Sequence, residues 1–179
     1  MVTARHPLLS LVLAVSLALP VAACAAPSSS HPVPDVGNAV SPVPGVVSSG
    51  RLDASDVATL QANGFRQVID LTPDDETPGF DEAGLVREAG MAYANLPIRG
   101  PADLTRANVA AFDALLRDID APVLVHCASG NRVGAMAALR AAWVEGHTVE
   151  KAVEIGRAWG MKGLESAVRE RLASEPGAG

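Results

Sequence analysis

The chain has two cysteines, Cys24 and Cys127, in 179 residues, so no disulfide framework organises it. With four histidines besides, no stretch has the ligand spacing of a structural zinc site. Aromatic residues make up 3% of the chain, too few for a platform on which nucleobases stack. Lys and Arg number 14 against 20 Asp and Glu, nowhere in a block, and the net charge is −6. A polyanion would be repelled, so no nucleic-acid partner is expected. No internal repeat is visible. The longest apolar run, Leu8 to Leu19, is too short to span a bilayer.

What is there begins with that run. Arg5 and His6 precede it, and residues 1–23 read as a targeting segment to be set aside from the fold. The segment closes on Val21-Ala22-Ala23-Cys24, which resembles the lipobox of bacterial lipoproteins. By that resemblance Cys24 is lipidated and the protein is exported to the bacterial cell envelope, on the periplasmic or outer side. It would be anchored to a membrane without crossing it. An ordinary signal peptide cut at the same Ala-rich place is the alternative. Residues 24–45 hold five of the thirteen prolines, several serines and almost no charge, and read as an extended tether. The folded domain is expected over residues 46–175, and nothing in it sets an oligomeric state.

Within that domain, strand and helix signals alternate. Val46-Val47 suits a short edge strand, and Asp53 or Ser55 can cap a helix running to Ala62. Phe65 to Leu71 and Met91 to Leu96 read as strands, with a helix from Asp81 to Ala89 between them. Thr105 can cap a helix to Arg117 with Val109, Phe112 and Leu116 on one face. Val123 to Val125 reads as a buried strand, and Ala135 to Trp143 as a helix of strong formers. Thr148 can cap a further helix, Gly160 and Gly163 break it, and Leu164, Val168 and Leu172 mark a last one. This alternation predicts an α/β domain with a central, mostly parallel sheet flanked by helices. Ligands in such sheets bind beyond the carboxyl ends of the strands. Asp74, Asp75, Glu76, Arg99 and Asp103 are thereby expected on one rim with Cys127.

The chemistry concentrates in His126-Cys127-Ala128-Ser129-Gly130-Asn131-Arg132, between that buried strand and its helix. If Cys24 carries lipid, Cys127 has no disulfide partner, and an unpaired thiol in an exported protein calls for a use. A free thiol has a pKa of about 8.5, brought down to about 3.5–7.5 at a helix N-terminus beside a cation. The small residues Ala128, Ser129 and Gly130 let backbone N–H groups approach an anion. Arg132 offers a planar fork to a tetrahedral oxyanion. The plainer alternatives are a buried inert Cys127, which the polar run after it disfavours, and a surface Arg132, which would oppose the helix dipole. His126 either orients the loop and holds the thiolate or is a satisfied strand-end histidine.

On these residues the chain resembles the cysteine-dependent phosphatases of the tyrosine/dual-specificity class. More narrowly, it is similar to the bacterial branch found with beta-lactamase-hydrolase-like proteins, over about Val47 to Ala142. The resemblance is carried by Ser49-Gly50-Arg51-Leu52, Gly64-Phe65, Val68-Ile69-Asp70-Leu71, Glu76, Gly90, Leu96-Pro97 and Val125-His126-Cys127 with Gly130 and Arg132. It implies a cysteine-phosphatase-like fold, no cofactor and no metal. It also implies a phosphorylated substrate, with Cys127 attacking phosphorus to give a thiophosphoryl intermediate that water hydrolyses. Arg132 and the N–H groups of Ala128, Ser129, Gly130 and Asn131 would hold the phosphoryl oxygens.

Three departures stand out. The broad class places five residues between Cys and Arg, against four here, and the usual hydroxyl residue after the Arg is Val133. The usual aspartic general acid has Asp103 as its first candidate, or else Asp103 merely caps the helix that follows; Asp75 and Glu76 are weaker choices. Four-residue spacing is also that of rhodanese-like sulfurtransferases, although their Gly-His-Ile-Pro-Gly-Ala stretch is missing. A non-catalytic phosphate- or oxyanion-binding module is the third reading.

Overall fold

A computed structural model describes Met1 and residues 33–117 and 122–175. The remainder of the leader expected over residues 1–23, and Cys24, lie outside the described residues. The strands are β1 (Val40–Val43), β2 (Val46–Ser49), β3 (Gln67–Asp70), β4 (Ala92–Asn95) and β5 (Val123–His126). The helices are α1 (Ala54–Ala62), α2 (Glu82–Glu88), α3 (Arg106–Arg117), α4 (Asn131–Trp143), α5 (Val149–Ala158) and α6 (Glu165–Ser174). They form a five-stranded sheet in the order β1-β2-β5-β3-β4, antiparallel only between β1 and β2. The expected mostly parallel α/β architecture is the one found.

Alternate strand residues serve two cores, as a parallel sheet covered on both faces requires. Val46, Ile69, Val123 and Val125 pack with Phe112, Leu139, Val153 and Val168, from α3, α4, α5 and α6. Val47, Val68 and Leu124 pack with Leu60 and Val86, from α1 and α2. The caps read from the sequence are in place. Asp53 closes a capping box with Asp56, and Thr105 and Thr148 accept from Asn108 and Lys151. Among the described residues, no helix is long and apolar enough to cross a membrane.

Three local expectations change. Part of the stretch read as tether is structured: Val36 is buried, and β1 pairs with β2. Pro42 disguised it, but an edge strand tolerates a residue without an N–H. Because β1 covers it, the strand expected at the edge on Val46-Val47 is interior, extends to Ser49 and is buried throughout. Finally, α4 starts at Asn131, four residues earlier than its apolar run, because Gly130 adopts φ 80° as N-cap. Arg132 therefore stands in the first turn of a helix, not in a free loop.

The lead-in to β1 crosses the segment after β2 that touches the cysteine loop. Gly50 N–H donates to Gly37 C=O at 2.6 Å, Gly50 bridges to Ser129, and Arg51 N–H donates to Ala128 C=O. A Cβ on Gly50 would stand 3.0 Å from the Gly37 oxygen, so a larger residue here would push that crossing apart by a few tenths of an ångström.

Candidate active site

The site grows from one register row. Ser49, His126, Asp70 and Asn95 are aligned across β2, β5, β3 and β4 at the carboxyl end of the sheet. Immediately beyond, Cys127 is buried at the floor of a turn whose outer residues, Ala128 and Ser129, are exposed. Gly130 supplies no side-chain cap to α4, so the first N–H groups of that helix stay open to an anion.

Arg132 is 8% exposed and is held in three places. Its Nη1 donates to Glu76 Oε1 at 2.9 Å and to Ile98 C=O at 2.7 Å, and its Nη2 donates to Glu76 Oε2 at 2.7 Å. Two parallel bonds to one carboxylate fix the guanidinium plane. The Nε–H is not used in these bonds. Burial alone would lower the arginine's pKa. The Glu76 hydrogen bonds, the charge of Cys127 and a hydrogen bond to that sulfur outweigh it, and the value is raised. Glu76 is correspondingly held below the usual carboxylate range, first by the bond from Arg132.

The rim gathers the loops after β3, β4 and β5, as expected. Arg99 bonds Asp75 at 3.0 Å, and both are well exposed. Arg51 Nη1 donates to Glu76 C=O. Asp103 is occupied differently: its Oδ2 accepts the Arg99 N–H at 2.7 Å. The Ile98–Arg99 peptide is trans, so its C=O, which meets Arg132, and its N–H, which meets Asp103, point opposite ways. In this arrangement Asp103 locks the rim loop, on the far side of that peptide from Arg132. Asp74 is exposed. Val133 is fully buried in the larger core, so the place of the usual hydroxyl is apolar.

Two residues of that row, His126 and Asp70, join Glu82 in a cluster that residue spacing did not reveal. His126 Nε2 is 2.7 Å from Glu82 Oε1 and 3.4 Å from Asp70 Oδ1, all three side chains being nearly inaccessible. Asp70 also accepts from Thr72 N–H and Tyr93 O–H. Burial, then the Asp70 charge and hydrogen bond, pushes the Tyr93 pKa up, so its hydroxyl remains a donor. The three ligand atoms lie within 4.8 Å of one another, near enough to grip a cation. Asp70 takes hydrogen bonds from Thr72 and Tyr93 there, and Glu82 pairs with His126. His126 Nδ1 is buried without a hydrogen-bond partner. An acid inside the apolar run Val68-Ile69-Asp70-Leu71 was a usable signal; Glu82 resembled any first-turn helix acid.

With this geometry in view, comparison with known proteins is direct. The family model for the phosphatase-like domain of beta-lactamase hydrolase-like proteins matches residues 40–144. The chain belongs to that family. A beta-lactamase hydrolase-like protein of Agrobacterium fabrum is 34% identical over 88 residues, 47% of this chain and 20% of the relative. One from Xylella fastidiosa is 36% identical over the same length. The chain thus spans about a fifth of the length of the curated relatives it matches. Among solved structures, a candidate phosphatase from Neisseria meningitidis superposes with TM-score 0.63 at 24% identity, covering 75% of this chain and 96% of its own. TpbA of P. aeruginosa in complex with phosphotyrosine gives 0.51 at 23%, covering 73% and 78%. These likenesses establish the phosphatase-like fold of this family member.

Proposed function

We propose that this chain is a cysteine-dependent phosphatase that hydrolyses a phosphomonoester. The observation that carries the reading is the buried Cys127 sulfur facing a guanidinium that Glu76 orients at the uncapped start of α4. In the proposed reaction the Cys127 thiolate attacks phosphorus and the P–O bond to the leaving group breaks. The departing oxygen takes a proton from an acid, for which Asp103 is the candidate once its bond to Arg99 opens. Water then attacks the thiophosphoryl group, releasing phosphate and restoring the thiolate. Arg132 and the N–H groups of Ala128, Ser129, Gly130 and Asn131 hold the charge that develops on the phosphoryl oxygens. The phosphotyrosine in TpbA supports a phosphorylated substrate of this kind.

Four intervening residues, a buried Val133 and an engaged Asp103 favour a second reading. In that reading the thiolate carries a persulfide sulfur, as in rhodanese-like sulfurtransferases, or the loop N–H groups and Arg132 bind an oxyanion without turnover. One experiment separates them: para-nitrophenyl phosphate and thiosulfate assayed side by side, with Cys127→Ser as control. Phosphate release lost in the variant supports the phosphatase. Thiocyanate formation from thiosulfate and cyanide supports sulfur transfer, and inactivity on both leaves the binding module.

We also propose export to the cell envelope with Cys24 as the lipidated anchor, on the sequence pattern Val21-Ala22-Ala23-Cys24. Cys24→Ala is expected to leave the membrane fraction, and its retention there would contradict the anchor.

A further inference from the structure

The turn between α5 and α6, residues 159–164, lies beyond the family-matched stretch yet presses directly on the cysteine loop. A Cβ on Gly134 would stand 2.2 Å from Met161 N and 2.5 Å from Gly156 O, and one on Gly160 would stand 3.3 Å from Gly130 O. Ser48 Oγ donates to Trp159 C=O at 2.7 Å, tying the same turn to β2. The contact closest to the chemistry is polar. Asn131 Oδ1 accepts the N–H of Lys162 at 2.7 Å and that of Leu164 at 3.4 Å. Leu164 opens α6 and supplies no side-chain cap of its own, so Asn131 provides an acceptor from across the gap.

This arrangement has a consequence for the anion cup. Asn is among the best residues at capping N–H groups near its own position. An Asn131 carboxamide turned inward would place an acceptor where the oxyanion belongs. Spent instead on Lys162 and Leu164, it leaves the first N–H groups of α4 uncapped, as observed.

Resting on the oxyanion reading above, we propose that the Asn131 side chain is a positioning residue. It fastens the loop to the α5–α6 turn and keeps its own oxygen out of the cup, so the donors are set before an oxyanion arrives. Binding then avoids the cost of ordering the loop. The test is tungstate affinity by calorimetry on the full chain, beside the melting temperature without ligand. Asn131→Ala is expected to weaken tungstate by about tenfold with little change in melting temperature, since preorganisation is lost while the core is untouched. Lys162→Pro removes the facing N–H without altering the loop's sequence and is expected to do the same. It stands alone as the test should Asn131→Ala fail to fold. In the double variant the loss should be no larger than in either single one. Unchanged affinity in the soluble single variants, or losses that add in the double, overturns the proposal. A wild-type chain that does not bind tungstate overturns the oxyanion reading itself, a separate failure.

Discussion

Two charged clusters flank the carboxyl end of the sheet, and they differ in what they leave free. In front, Arg132 and Glu76 share a bidentate pair with side chains 10% and 32% exposed, and the guanidinium Nε–H lies outside that pair. Behind, His126, Asp70 and Glu82 are 1%, 7% and 6% exposed, and apart from the unpartnered His126 Nδ1 their polar contacts are to one another, to Thr72 and to Tyr93. The first cluster stands at a partly open rim, with its carboxylate a third exposed. The second has no such opening and acts by holding α2 against the ends of β3 and β5. Adjacent residues, His126 and Cys127, thus belong to opposite regimes.

The sharpest way to break this comparison is at Glu82. Glu82→Ala leaves the buried His126 without its 2.7 Å partner and should cost about 3–5 kcal/mol in chemical denaturation. Glu82→Gln keeps an acceptor for the His126 N–H and should cost clearly less; equal losses would mean that packing, not pairing, holds α2. Next is Arg132→Ala. Removing one donor to a developing oxyanion costs about 10²–10³ in rate, roughly 2.7–4 kcal/mol, and should lower para-nitrophenyl phosphate turnover by that order. Stability should move far less than in Glu82→Ala.

A smaller effect is expected from Glu76→Gln, and it depends on pH. The folded-state pKa of Glu76 lies below its ordinary value, so its pairing stabilises the fold fully above that value. The contribution is lost as pH falls through the lowered one. The variant should therefore unfold with a flatter pH dependence on the acid side than the parent. A parallel loss in both proteins would remove Glu76 as the source. Smallest is Asp75→Asn at the exposed rim, where the bond to Arg99 also lowers the Asp75 pKa. Water and salt screen such an exposed pair, so thermal melting should hardly shift.

Much of the architecture was legible because its signals are local. Asp53, Thr105 and Thr148 announce helices through groups three residues away, and Val123 to Val125 between a proline and a polar turn announces a buried strand. The Cys127–Arg132 loop was legible for the same reason. What stayed hidden is set by partners far along the chain. Glu76 lies 56 positions from Arg132, and Glu82 lies 44 from His126. Asn131 meets a turn more than thirty positions later. Asp103 had two readings because a carboxylate five residues past Ile98 can face either way; the fold turned it to Arg99. The status of β2 could not be read before β1, whose proline imitates a linker, was seen to cover it.

The crossing of Gly37 over Gly50, one bridge away from Ser129, couples the chain ahead of β1 to two places at once. A load pulling on that chain would meet Val36, seated in the smaller core, and one residue later the glycine crossing. Tension from that side would therefore be shared between the core under α1 and α2 and the strand end beside the cysteine loop.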